Sequence, residues 1–98
     1  MKFFLISDNI DTQMGMRLAG IEGVVVHERQ EVLEVLEKVL HREDVAVILM
    51  TTRLVETCPE VISELKLKLK KPLIEEIPDR HGSAKIGRYV SEAIGVKL

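Results

Sequence analysis

The sequence predicts an α/β domain: a four-stranded parallel sheet flanked by helices, with an amphipathic helix at its C-terminal end. Three observations carry this expectation. Short apolar runs alternate with stretches of helical period along the 98 residues, the mark of parallel strands joined by right-handed crossovers. Residues 45–50, Val-Ala-Val-Ile-Leu-Met, are apolar without a break, too short for a helix and suited to a strand buried on both faces. Phe3, Phe4 and Tyr89 are the only aromatic residues, so the core between the layers is aliphatic and a flat ring ligand finds little to stack on.

Each element has a local reason. Lys2–Ser7 is an apolar run followed by turn formers, which makes it the first strand. Asp11 is expected to N-cap a helix running to Leu18-Ala19, with Gly20 ending it. Residues 23–27 are short and β-branched, a second strand. Residues 30–42 place Val32, Leu33, Leu36, Val39 and Leu40 at helical spacing, with Glu34 and Lys38 paired on the wet side. Residues 45–50 form the third strand. Thr57-Cys58-Pro59-Glu60 reads as a capping box with proline in the first turn. The helix it opens buries Val61, Ile62, Leu65 and Leu69. Leu65-Lys66-Leu67-Lys68-Leu69-Lys70 alternates with the period of a strand, but its leucines continue the preceding helical face and its lysines suit a helix C-terminus. A helical assignment there leaves Leu67 exposed. Leu73–Ile77, fenced by Pro72 and Pro78, is the fourth strand. Residues 83–94 are a last helix, ended by Gly95.

In the doubly wound arrangement of Rossmann-like or flavodoxin-like type the first four strands take the order 2-1-3-4. The step from strand 1 to strand 2 runs one way and both later steps run the other. The second and third helices therefore share one face, and the first helix is alone on the other. Four strands span about 19 Å at roughly 4.8 Å each, whereas a helix covers about 10 Å. Half of that face, over strands 3 and 4, is left without a roof. Either the C-terminal helix closes it or a partner does. The organisation expected is an α/β domain over residues 1–78, then a linker and partner-contacting helix over 79–98.

Composition narrows the function. A length of 98 residues fits one domain. The net charge is −2, with 5 basic and 9 acidic side chains in residues 1–50 and 9 and 7 in the rest. A nucleic-acid binder is usually strongly basic on one face, so none is expected. Hydrophobic residues make up 46% and charged ones 31%, an ordinary globular balance. The single cysteine, Cys58, suits a reducing compartment and a core position. No stretch approaches the roughly 20 apolar residues that cross a bilayer. The apolar start stops at Ser7-Asp8, short of a signal peptide. A cytoplasmic location is expected, with any membrane association made through another protein.

Catalytic chemistry is sparse. Asp8 falls at the C-terminal end of strand 1, where doubly wound folds place ligands, and suggests a stand-alone receiver-like signalling domain as the competing function. That scheme needs an aspartate at the end of strand 3, where this chain has Met50-Thr51-Thr52. Ser7-Asp8-Asn9-Ile10-Asp11-Thr12 carries two acids and no glycine, the wrong chemistry for a phosphate cradle. His27, His41 and His81 share no metal spacing. No catalytic residue, metal or cofactor is expected. Ile86, Tyr89, Val90, Ala93 and Ile94 fall at i, i+3, i+4, i+7 and i+8, one apolar stripe. It docks either on its own sheet or on a partner helix, and the loop containing Gly82 permits both.

Several stretches in order resemble the F subunit of the V-type and archaeal-type (A-type) rotary ATPases. They are Asp8 with Gly15-Met16-Arg17-Leu18-Ala19-Gly20-Ile21, Val47-Ile48-Leu49-Met50-Thr51, Pro72-Leu73-Ile74-Glu75-Glu76-Ile77-Pro78, and Ala93-Ile94-Gly95-Val96-Lys97-Leu98. The chain departs from that family in its last helix, where Gly87 interrupts a less basic run. The resemblance implies a non-catalytic rotor component that holds the coiled coil of the D subunit, the shaft, and through it joins the catalytic head to the membrane ring. The residues expected at that contact are Ile86, Tyr89, Val90, Ala93 and Ile94, with Ile74 and Ile77 of the last strand next.

Overall fold

A computed structural model describes residues 2–78. Four strands, β1 (Lys2–Ser7), β2 (Glu22–Val25), β3 (Val45–Thr51) and β4 (Leu73–Ile77), form one parallel sheet in the order β2-β1-β3-β4. This is the predicted topology. β3 is central and apolar on both faces, with Ile48, Leu49 and Met50 each fully buried. Its side chains alternate between two cores. Ile48 and Met50 join Phe4, Ile6 and Ile74 on one face, while Leu49 joins Leu5 and Ile77 on the other. The expected helix over 83–94 and the linker before it lie outside the described residues.

The helices divide unequally. Helix α1 (Ile10–Leu18) contributes Met16 to the smaller core. Helices α2 (Arg29–Leu40), α3 (Thr52–Thr57) and α4 (Pro59–Lys68) contribute Val32, Leu36, Leu54 and Ile62 to the larger one. Among the described residues α1 alone therefore lies on its side of the sheet, packed on β1 and β2.

The cap at the start of α1 comes from Asn9 rather than Asp11. Asn9 Oδ1 accepts from the Asp11 and Thr12 amides at 2.8 and 3.2 Å, and Asp11 lies inside the first turn. The helix ends as expected at Gly20, whose φ of 84° is open to glycine. Gly20 N donates to Arg17 O and Ile21 N to Met16 O, both at 2.9 Å. These are the two bonds of a Schellman motif, and Ile21 meets Met16 in the core as the motif requires. At the start of α2, Glu31 accepts from the His27 and Glu28 amides, each at 3.0 Å. Those backbone donors, Glu28 first, hold the Glu31 carboxyl below the usual range.

One helix, α3, has no counterpart among the elements the sequence predicts. It follows β3 directly and buries Leu54. The capping box expected at Thr57 does not form, because Thr57 still belongs to α3. Its hydroxyl donates backwards to Leu54 O at 2.7 Å. Cys58 breaks the chain between α3 and α4, and Pro59 occupies the first turn of α4, where a missing amide costs nothing. The alternating lysine–leucine stretch is helical to Lys68, and Leu67 is 88% exposed.

At the N-terminal end of the sheet, Arg42 binds Glu22 at 3.0 Å and Asp44 at 2.8 Å and lies 5.6 Å above the Phe4 ring. These hydrogen bonds hold both carboxyls below their ordinary values. A carboxylate depressed in the folded state contributes stability at neutral pH and loses it on protonation. The melting temperature should thus fall between about pH 5 and about pH 3, modestly because the groups are half-exposed. Arg42→Met should lower it at neutral pH and flatten the acid slope. Parallel slopes in thermal melts of the two proteins would rule the network out.

Gly23 lies opposite Leu5 in the β1–β2 register. A Cβ there would sit 2.8 Å from Leu5 Cβ and 3.0 Å from its carbonyl oxygen. Gly23→Ala should cost about 1–3 kcal/mol in urea denaturation. An unchanged midpoint would mean that the edge strand moves aside freely.

Candidate partner-binding surface

The C-terminal end of the sheet, where this fold usually opens a ligand crevice, is knitted shut. Asp8 follows β1 with its side chain 6% exposed. Thr51, fully buried at the end of β3, donates its hydroxyl to Asp8 Oδ1 at 2.7 Å and accepts from the Asp8 amide at 3.3 Å. Arg53 Nε lies 3.7 Å from the other carboxylate oxygen. Ser7 accepts from the Asn9 amide and donates to the Asn9 carbonyl, both at 2.9 Å, and Thr52 donates to Ile77 O at 3.3 Å. The carboxylate that a receiver scheme would give to a cation is spent on a hydroxyl and a guanidinium. Among the described residues no three His, Cys, Asp or Glu side chains are placed to hold a metal ion. His41 Nδ1 lies 2.7 Å from Glu37 O, closing the end of α2. Cys58 is fully buried in the larger core.

The residues expected at a partner contact separate. Ile86, Tyr89, Val90, Ala93 and Ile94 lie outside the described residues. Ile74 and Ile77 are only 6% and 0% exposed. Three residues apart on a strand, they point to opposite faces, and each is absorbed by a core of this chain. On β4 it is Leu73, Glu75 and Glu76 that are exposed.

Among the described residues three of the five exposed large hydrophobic side chains lie on α1. Ile10, Met14 and Leu18 are 56%, 57% and 91% exposed. At 100° per residue Met14 lies about 160° round the helix from the buried Thr12 and Met16, with Ile10 and Leu18 about 40° to either side. The apolar stripe is thus on the outer surface of the helix, where a soluble protein normally places charge. The i, i+4, i+8 spacing of these three residues is present in the sequence, but the caps of α1 identify the helix without saying which of its faces is buried. Between the described residues, Arg29 pairs with Glu60, Arg42 with Glu22 and Asp44, and Arg53 with Asp8. Arg17, beside Leu18, has no such acid among the described residues.

Removing the Thr51 hydroxyl should leave Asp8 buried and short of a donor. Thr51→Val is expected to destabilise by about 1–3 kcal/mol, and Thr51→Ser by much less. Equal denaturation midpoints for the two variants would refute the role given to that hydroxyl.

Comparison with known proteins bears on the whole chain. The family model of the ATP synthase (F/14-kDa) subunit matches residues 4–94. A protein named as the F subunit of the A-type ATP synthase of Pyrococcus furiosus is 38% identical, aligned over all of this chain and 98% of its own length. The protein of the same name from Thermococcus kodakarensis is 36% identical over the same shares, and the one from Methanococcus aeolicus is 35% identical over all of this chain and 99% of its own.

Proposed function

This chain belongs to the ATP synthase (F/14-kDa) subunit family, and from that premise we propose that it is a non-catalytic central-stalk component of a V-type or A-type rotary ATPase. It binds the coiled-coil D subunit and, through that shaft, joins the catalytic head to the membrane ring. ATP hydrolysis or synthesis on other subunits is thereby coupled to proton or sodium-ion transport. Its place is cytoplasmic, peripheral to the membrane through the complex. No helix among the described residues is long and apolar enough to cross a membrane.

The observation that carries this reading is the likeness to A-type F subunits along the full length of the chain. The structure supports it in two ways. The ligand end of the sheet is filled by Asp8, Thr51 and Arg53 holding one another, and apolar side chains face outward on α1. A shaft that transmits torque must neither slip nor unwind. A domain clamped on it adds apolar area worth roughly 25 cal/mol per Å², less the costs of association. With few aromatic residues available, that area comes from aliphatic complementarity spread along the contact.

The contact expected of the C-terminal stripe is tested with Tyr89→Asp combined with Val90→Asp. The double variant should lose co-purification with the coiled-coil D subunit while keeping the thermal melt of the parent. Normal assembly of the variant would move the contact away from Tyr89 and Val90.

A further inference from the structure

The outer ridge of α1 needs an occupant. Ile10, Met14 and Leu18 form a single i±4 row rising about 12 Å over two turns, the kind of ridge that lies in the groove of another helix. Three neighbouring apolar side chains, each more than half exposed, are a poor solvent face and a good helix contact. Arg17 beside them is the described arginine without an acid among the described residues, and its charge selects the occupant.

Two occupants from this chain's own sequence fit badly. Residues 79–98 carry four Lys or Arg against two Asp or Glu, so they would bring more positive charge to Arg17. A second copy could set α1 antiparallel to itself, with Asp11 facing Arg17 across Met14. That contact is only two turns long, far below the roughly 800 Å² per partner that a stable interface buries. A longer rod meets the ridge and runs on past it.

We propose that the Ile10–Met14–Leu18 ridge of α1 is a docking surface for an apolar stripe on an external coiled coil, with an acidic side chain of that partner paired to Arg17. This rests on the shaft-binding reading and assigns it a surface. The ridge and the C-terminal stripe then grip the rod at two places.

The test titrates the purified coiled-coil D subunit onto the full chain. Leu18→Glu should weaken binding at least tenfold, because a carboxylate replaces the most exposed apolar contact. Arg17→Glu should also weaken it and reduce its dependence on salt. Leu67→Glu, at an equally exposed leucine on the opposite layer, should bind as the parent does. Circular-dichroism melts should be the same for all four proteins, since none of the changed side chains is buried. The proposal fails if the α1 variants bind like the parent, or if Leu67→Glu weakens binding as much as Leu18→Glu. It fails equally if Leu18→Glu lowers the melting temperature, which would identify residues 79–98 as the cover, or splits a parent dimer in sedimentation, which would identify a second copy. Failure of the broader reading looks different. A parent chain that does not bind the coiled coil overturns both, whereas loss of binding by the Tyr89 and Val90 variant but not by Leu18→Glu overturns this surface alone.

Discussion

A parallel sheet whose central strand is apolar on both sides has to be roofed on both sides. Ile48, Leu49 and Met50 are consecutive and fully buried, so β3 cannot give either face to water. On one face α2, α3 and α4 form the roof, and the larger core lies beneath them. On the other, α1 packs on β1 and β2, Leu5, Leu49 and Ile77 are fully buried, Phe3 and Val47 half-buried, and Leu73 at the start of β4 is 55% exposed. Among the described residues three helices cover one layer and one helix the other.

Both ends of the sheet are tied by charge and hydrogen bonds, including the C-terminal end where other doubly wound proteins place ligands. Arg42 gathers Glu22 and Asp44 at one end and covers Phe4. Asp8, Thr51 and Arg53 close the other. The exposed arginine cluster contributes little to global stability, but it fixes the relative positions of β1, β2 and the turn into β3. The buried Asp8–Thr51 pair is more demanding, because a carboxylate in that setting must keep its donors. These contacts tie the sheet at both ends, joining β1 to β2 and the turn into β3 at one and to the end of β3 at the other.

The strands and their order are legible in the sequence because short β-branched or apolar-rich segments of 4–7 residues, set between helical stretches and bounded by glycine, proline and acidic residues, have few other solutions. Helix α3 is not, because its six residues, Thr52–Thr57, are too few to show a period, and Thr57 and Glu60 imitate a cap. The cap of α1 falls to Asn9 rather than Asp11 by a shift of two residues, which sequence patterns do not resolve. The burial of Ile74 and Ile77 is not legible for another reason. An edge strand looks half-free in sequence, but its facing depends on what roofs each side, and the α3–α4 pair that packs on β4 is only partly visible there. Arg17 and Leu18 stand in a stretch that resembles a family motif, yet nothing in a motif says which way a side chain points.

Helix α1 itself shows how stability and contact divide along one segment. Its fixed points are at the ends, the Asn9 cap and the Gly20 Schellman turn, and between them Thr12 and Met16 are its buried residues. Gly15 in its middle costs on the order of 0.5–1 kcal/mol relative to alanine. A helix shaped for stability alone would carry charge at Ile10, Met14 and Leu18 and would lose nothing of its packing on β1 and β2. Among the described residues those three positions belong to neither core. Apolar side chains exposed in this way gain stability only when another surface removes them from water, so the division between the two ends of α1 and its outer face is one between what holds the helix in this fold and what is left for contact.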